Sequence, residues 1–419
     1  MDKQKYLQVV NCLKGIIAGT KWDYHVFSVG GCCRDYMSGR EIKDIDLVVD
    51  LPNGGIEFAE WLESNGYTKG SVVTYPHYGT AMFHLKEVPE IELEAVQTRK
   101  ESYRDMETRN PDTAFGTIDD DCTRRDFTYN AIYYNISNGG FCDYNGHSFE
   151  DLGKNILRTC GDPDIIFTED PLRILRAIRF TCRFDSTIED ATFEGMKKYA
   201  DRLEIISKER IQDEFSKMMT SGHADIAMKL INEIGAWKYI FNGNTCGEIE
   251  RALVNLKKIT DADYHNLEVN LAIVYAYLAD VENRMKYLKF SNDVIDKVMF
   301  YLDLVDEINF LHFKPSNLRK LQYLAKSFDN LFNACTIFLS IFPNDEKKVQ
   351  KIINDSKDMI KDDCAMFGYK LPVDGNDVMA IKNIEPSAKV KEYLELLMEQ
   401  AYVNPHITKK DCEKILNCN

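Results

Sequence analysis

The chain has 419 residues, 44% of them hydrophobic, with 52 basic against 67 acidic side chains and a formal net charge of −15. That length supports roughly two to four domains with a sizeable core, while the acidic balance argues against a generic basic nucleic-acid coat and an anionic membrane partner, though not against a local basic groove. The 12 cysteines lack paired zinc or disulfide spacings, and no signal peptide or membrane-length apolar run is evident, so a soluble cytoplasmic protein with reduced thiols is expected.

Up to about residue 150, short β-like runs alternate with turns. His25–Val29, Ile45–Val49, Gly70–Thr74, Thr80–Leu85, Ile91–Thr98, Ala131–Ile136 and Phe141–Tyr144 read as strands, and Gly54–Asn65 as an amphipathic helix. After Glu150 strand signals vanish and apolar residues fall at helical spacing, as in Ile205–Met219, Leu267–Leu278 and Val390–Ala401. Turn clusters at Asn242–Gly247, Lys314–Asn317, Pro343–Asp345 and Leu371–Asn376 read as joints. The expected fold is α+β, with a mixed-sheet head at 1–150, then a helical neck at 151–220, a helical body at 221–342 and a helical tail at 343–419.

The run Val29–Asp50 carries the chemistry. Gly30 and Gly31 close a strand before a helix-like segment, where missing side chains let backbone N–H groups approach phosphate oxygens, and Arg34 adds a guanidinium one turn on. Asp44 and Asp46 share one strand face while Ile45, Leu47 and Val49 point to the core. Two such carboxylates repel unless solvated, hydrogen-bonded or bridged by a cation, and magnesium suits hard oxygen ligands completed by substrate phosphates. A third carboxylate is expected from a neighbouring strand: Glu94 is preferred, Glu92 second.

The glycine pair, Arg34–Asp35 and the D-I-D triplet resemble the first motif of the class II tRNA nucleotidyltransferases, the CCA-adding enzymes and bacterial poly(A) polymerases of the polymerase β superfamily. Glu94-A-V-Q-T-Arg99, R-R-D-F-T-Y-N-A at Arg124–Ala131, E-D-P-L-R-I-L-R-A-I-R-F at Glu169–Phe180 and S-K-E-R-I-Q-D-E-F at Ser207–Phe215 resemble later motifs in the same order. The resemblance implies a magnesium-dependent enzyme that adds C, C and A to the 3′ end of tRNA from CTP and ATP. It implies that Arg125 contacts the nucleotide, Asp126 bonds the ribose 2′-hydroxyl and Asn130 orients the nucleotide. Glu209 and Arg210 would steady the nucleotide-selecting helix. A full-length loop between Arg99 and Arg124, with Arg104 and Asp105 as a pair, favours CCA over CC addition.

Asp170 and Arg173, three apart on a helix, would present an acceptor and a donor side by side, which complements the amine and ring nitrogen of cytosine and adenine. Guanine and uracil would set a carbonyl against the carboxylate, and an unpaired buried polar group costs about 1–3 kcal/mol. The plainer alternative is that Glu169 and Asp170 serve a helix N-terminus ahead of Pro171. Arg176 and Arg179 continue the helix toward the triphosphate or RNA. Leu51–Gly55 lacks the basic stretch associated with bacterial poly(A) polymerases, and Val269–Asp280 lacks the His-Asp dyad of some relatives. Rival readings are CC-adding, A-adding or poly(A) polymerase activity, or a non-catalytic RNA-binding relative.

Overall fold

The computed structural model describes residues 1–102, 112–243, 256 and 265–418. The first helix, α1 (Lys3–Ile17), starts where the Asp2 carboxylate accepts from the Lys5 N–H, and turns Tyr6, Val9, Val10, Leu13 and Ile17 inward at the helical period. Strands β1 (Val26–Val29), β2 (Ile45–Val49), β3 (Val73–Tyr75), β4 (Thr80–Leu85) and β5 (Val88–Gln97) follow. A separate hairpin of β6 (Arg99–Ser102) and β7 (Asp112–Phe115) precedes β8 (Tyr133–Asn135) and β9 (Gly140–Cys142).

The main sheet has the order β3-β4-β5-β2-β1-β8-β9. Among the described residues only β2 and β5 pair in parallel within it, the arrangement that requires a crossover, and α3 (Gly54–Ser64) supplies one. A Cβ on Gly55 would stand 2.7 Å from the Ala95 carbonyl oxygen, so glycine is what lets this helix rest on β5. Ile45, Leu47 and Val49 are buried between sheet and helices as their alternation predicts, together with Phe58, Leu62, Leu93 and Ala95.

The strands expected at Ile45–Val49 and Thr80–Leu85 occur with those bounds. The Gly70–Thr74 strand starts later, at Val73, and Ile91–Thr98 starts earlier, at Val88. The polar connector expected from Arg99 to Arg124 contains β6, β7 and α4 (Ile118–Thr123), the last opened by a Thr117–Asp120 capping box. Arg104 and Asp105 lie outside the described residues, as does most of the Asn242–Gly247 turn. Strands do not end at Glu150: β10 (Ile156–Leu157) pairs in parallel with β11 (Thr187–Ile188).

Helices α5 (Ser148–Lys154), α6 (Pro163–Glu169), α7 (Leu172–Phe184), α8 (Asp190–Lys198) and α9 (Lys208–Met219) succeed the sheet. The described chain forms two compact units, Met1–Met218 with Leu230–Ile240, and Met219–Lys229 with Phe241–Asn419. Within the second, helices Asn292–Asn309 and Phe328–Ile341 are capped by Ser291 and Ser327. Its last three helices close around Val378, Val390, Leu397, Ala401, Cys412 and Leu416. Arg319 donates to the carbonyls of Tyr402 and Val403, each at 3.0 Å, satisfying the end of helix Ala388–Val403. No described helix is long and apolar enough to cross a membrane.

Candidate active site

Helix α2 (Gly31–Met37) leaves β1 through Gly30, whose φ of 82° belongs to the left-handed region that glycine occupies without strain. This turn opens a cleft of about 330 Å³. Gly30, Gly31, Arg34, Asp44, Asp46, Arg125, Asp126, Asn130, Arg176 and Arg179 all line it, so residues spread over about 150 positions of sequence meet in one place. Lys43, Asp35, Phe180 and Arg183 line it too.

Glu94 stands opposite Asp46 in the β2–β5 register, whereas Glu92 sits across from His84, 3.7 Å from its Nε2. The Asp46 carboxyl opens to solvent through the cleft but is otherwise walled by protein. That desolvation, with the negative charge of Glu94 and then Asp44, pushes its pKa up to about 6 against the pull of Arg125. A cation here would relieve the strain between these carboxylates. Among the described residues no three His, Cys, Asp or Glu side chains converge tightly enough to enclose an ion alone. Carboxylate oxygens are hard donors, and Asp44, Asp46 and Glu94 fit a hard divalent cation that keeps water or substrate oxygens in its shell.

The cationic side of the cleft is a hydrogen-bonded chain. Arg34 donates to both oxygens of Asp35, at 2.8 and 2.9 Å, and to Asn130 Oδ1 at 2.5 Å. Asn130 donates to Asp126 at 3.1 Å, and Arg176 closes on the other Asp126 oxygen at 2.6 and 3.0 Å. Burial opposes the Asp126 charge, yet Arg176 outweighs it and holds the carboxyl at about 2. Arg179 pairs with Glu214 of α9 at 2.5 Å. Asp126 and Arg176, each expected to meet the nucleotide or RNA directly, thus occupy each other in this structure. Two oppositely charged groups left in a half-buried cleft satisfy one another before any ligand arrives.

Asp170 and Arg173 do not line this cleft. The two do not share a helix face, because the helix breaks between them: Asp170 ends α6 with φ −134° and ψ 90°, and α7 begins after Pro171. The proline ring disfavours helical geometry in the residue before it, so the chain turns there and the Asp170 carboxylate accepts from the Leu172 N–H at 3.2 Å. The capping role is present, and Arg210 approaches Asp170 at 3.9 Å. Arg173 is buried; its Nη2 donates to the Arg124 carbonyl at 2.8 Å while Nη1 has no hydrogen-bond partner.

Asp121 and Glu214 were missed by sequence reasoning. Asp121, fully buried at the end of an acidic run that reads as a polar connector, receives hydrogen bonds from Arg124, Arg125 and the Tyr133 hydroxyl. Burial disfavours its charge, but Arg125 and then Arg124 keep its pKa near about 2. The signal was available: carboxylates stand three and four residues before Arg124 and Arg125, the spacing of helical ion pairs. No local spacing announces Glu214, which meets Arg179 across 35 positions.

Residues 26–158 match the family described as poly A polymerase head domain, and 186–244 that described as a probable RNA and SrmB-binding site of polymerase A. The chain is 32% identical over 231 residues to the tRNA nucleotidyltransferase cca2 of Schizosaccharomyces pombe, covering 51% of this chain and 47% of the relative, so the match spans about half of that protein. Poly(A) polymerase I of Escherichia coli is 29% identical over 279 residues, 64% of this chain and 59% of the relative. The CCA-adding enzyme of Limosilactobacillus reuteri is 30% identical over 296 residues, 68% of each chain. In fold, the chain resembles the Bacillus stearothermophilus CCA-adding enzyme solved with CTP, with a TM-score of 0.75 over 99% of this chain and 96% of that one at 20% identity. With the carboxylate and arginine cleft in place and two thirds of a relative matched, this chain belongs to the family of tRNA nucleotidyltransferases and bacterial poly(A) polymerases.

Proposed function

We propose that the protein is a template-independent, magnesium-dependent nucleotidyltransferase that adds C, C and A to the 3′ end of tRNA from CTP and ATP. The observation that carries this reading is the placement of Asp44 and Asp46 in an arginine-lined cleft, with Glu94 beside Asp46 in the strand register. The two-thirds match to a CCA-adding enzyme supports it, and the nearly equal match to the Escherichia coli poly(A) polymerase I keeps the poly(A) reading as its rival. The domains would divide as a head at 1–150, neck at 151–220, body at 221–342 and tail at 343–419, with the tail holding RNA by backbone shape.

Asp44, Asp46 and Glu94 would hold magnesium, which when bound supplies activation of the attacking hydroxyl and neutralises charge on the leaving pyrophosphate. In the Gly30–Gly31 turn the Gly30 N–H is taken by the Ile132 carbonyl at 3.1 Å, so the N–H groups that would face the triphosphate are those of the first turn of α2, from Gly31 on. Arg125, fixed by Asp121, reaches the same space. Arg34 and Asn130 order that wall, and Arg176 exchanges Asp126 for phosphate so that Asp126 can accept from the ribose hydroxyl. Arg179 extends the charged wall toward the RNA. Asp170 and Arg173, expected to select the base, lie outside the cleft in this structure, so that role would require the segment around Pro171 to move and bring them to the bound nucleotide.

The test is extension of a tRNA lacking its last three nucleotides, with CTP alone, ATP alone and both. Addition of CC from CTP alone and of CCA with both supports the reading; a long A tail from ATP alone replaces it with poly(A) synthesis. No incorporation by the wild type leaves a non-catalytic RNA-binding relative.

A further inference from the structure

We infer that the cavity behind the nucleotide cleft, with Arg34 in the wall common to both, is a second ligand site built for a nucleoside monophosphate unit. Its volume is about 400 Å³, within the roughly 300–1,000 Å³ of small-ligand sites, and Met37, Arg40, Tyr129, Phe149, Leu152 and Phe184 line it beside Arg34. The guanidiniums of Arg40, Arg34 and Arg183 lie 4.3, 4.4 and 5.0 Å from the Phe184 ring centroid. Asp35 compensates Arg34, but Arg40 makes no ion pair among the described residues, so the charge around this ring is a positive surplus.

The rest of the lining narrows the ligand. Phe149 and Met37 are both 39% exposed, leaving apolar surface for a planar ring. Inorganic phosphate would leave the apolar walls bare, and a cation would be repelled. A planar base carried on a sugar with one phosphate meets both demands. The unit has two sources, a free nucleotide or a nucleotide within an RNA strand.

Titration calorimetry of the full chain in EDTA with AMP and CMP, alongside filter binding of an RNA hairpin ending in CC, separates them. Arg40→Ala and Phe149→Ala remove side chains that line this cavity and not the nucleotide cleft, and either variant carries the test if the other fails to fold. Monophosphate binding weakened by about tenfold or more in the variants, with CTP binding unchanged, supports a free-nucleotide site. The same loss confined to the hairpin assigns the occupant to RNA. Equal affinities for wild type and variants in both arms would overturn the inference.

Discussion

Asp46 and Glu94 face each other in register across the parallel pair β2 and β5. Backbone hydrogen bonds of the sheet, rather than a loop, therefore fix the spacing of these two carboxylates, and their mutual repulsion is built into the fold.

Neutralising Asp46 should stabilise the metal-free protein while abolishing transfer. The folded carboxyl, raised to about 6, holds its proton more tightly than the unfolded one, so its contribution is full below about pH 4 and lost as pH rises through 6. Asp46→Asn should raise Tm in EDTA by roughly 1–3 °C at pH 7.5, after allowance for solvent screening, with the gap closing at pH 4. Scanning fluorimetry across pH checks this; a lower Tm at pH 7.5 would count against the strained pair.

Asp121 has the opposite sign. Its folded pKa, near about 2, lies below the unfolded value, so the stability it gives is present above about pH 4 and disappears as pH falls toward 2. Asp121→Asn should cost about 3–5 kcal/mol at pH 7, because Arg124 and Arg125 keep buried charges without a counterion. It should also flatten the acid limb of the stability curve. Urea unfolding at pH 7 and pH 3 measures both effects, and an unchanged acid limb contradicts the assignment.

The Asp126–Arg176 pair should show coupling. Because the two charges satisfy each other, Asp126→Ala and Arg176→Ala should each destabilise, and the double variant should be less damaged than their sum by about 1–2 kcal/mol. Strictly additive losses in a urea double-mutant cycle would show that the pair is not formed in solution.

At Asp170, capping and base choice can be separated. Asparagine keeps an acceptor for the Leu172 N–H, so Asp170→Asn should unfold within about 0.5 kcal/mol of wild type, while Asp170→Ala should lose about 1 kcal/mol. Base selection predicts that Asp170→Asn also admits UTP or GTP, read from incorporation ratios. Wild-type ratios in the asparagine variant would leave Asp170 a cap alone.

The strands at 45–49 and 80–85 were legible because Ile45, Leu47 and Val49, and Ala81, Phe83 and Leu85, put buried apolar residues at every second position, which leaves Asp46 on the opposite face of β2. The β6–β7 hairpin was not, since R-K-E-S and D-T-A-F carry no apolar alternation and pair with each other rather than with the core. The Asp170–Arg173 face was misread because spacing was followed across a proline that ends one helix and begins another. Arg176 with Asp126 and Arg179 with Glu214 meet across 50 and 35 positions, and no local pattern encodes such tertiary pairs.

The central claim meets its most direct test in sequencing of product 3′ ends. A tRNA transcript ending before the CCA, incubated with the purified chain, magnesium, CTP and ATP, should finish as CCA and stop there. Products that halt at CC, that carry a lone A, or that extend into an A tail would contradict it.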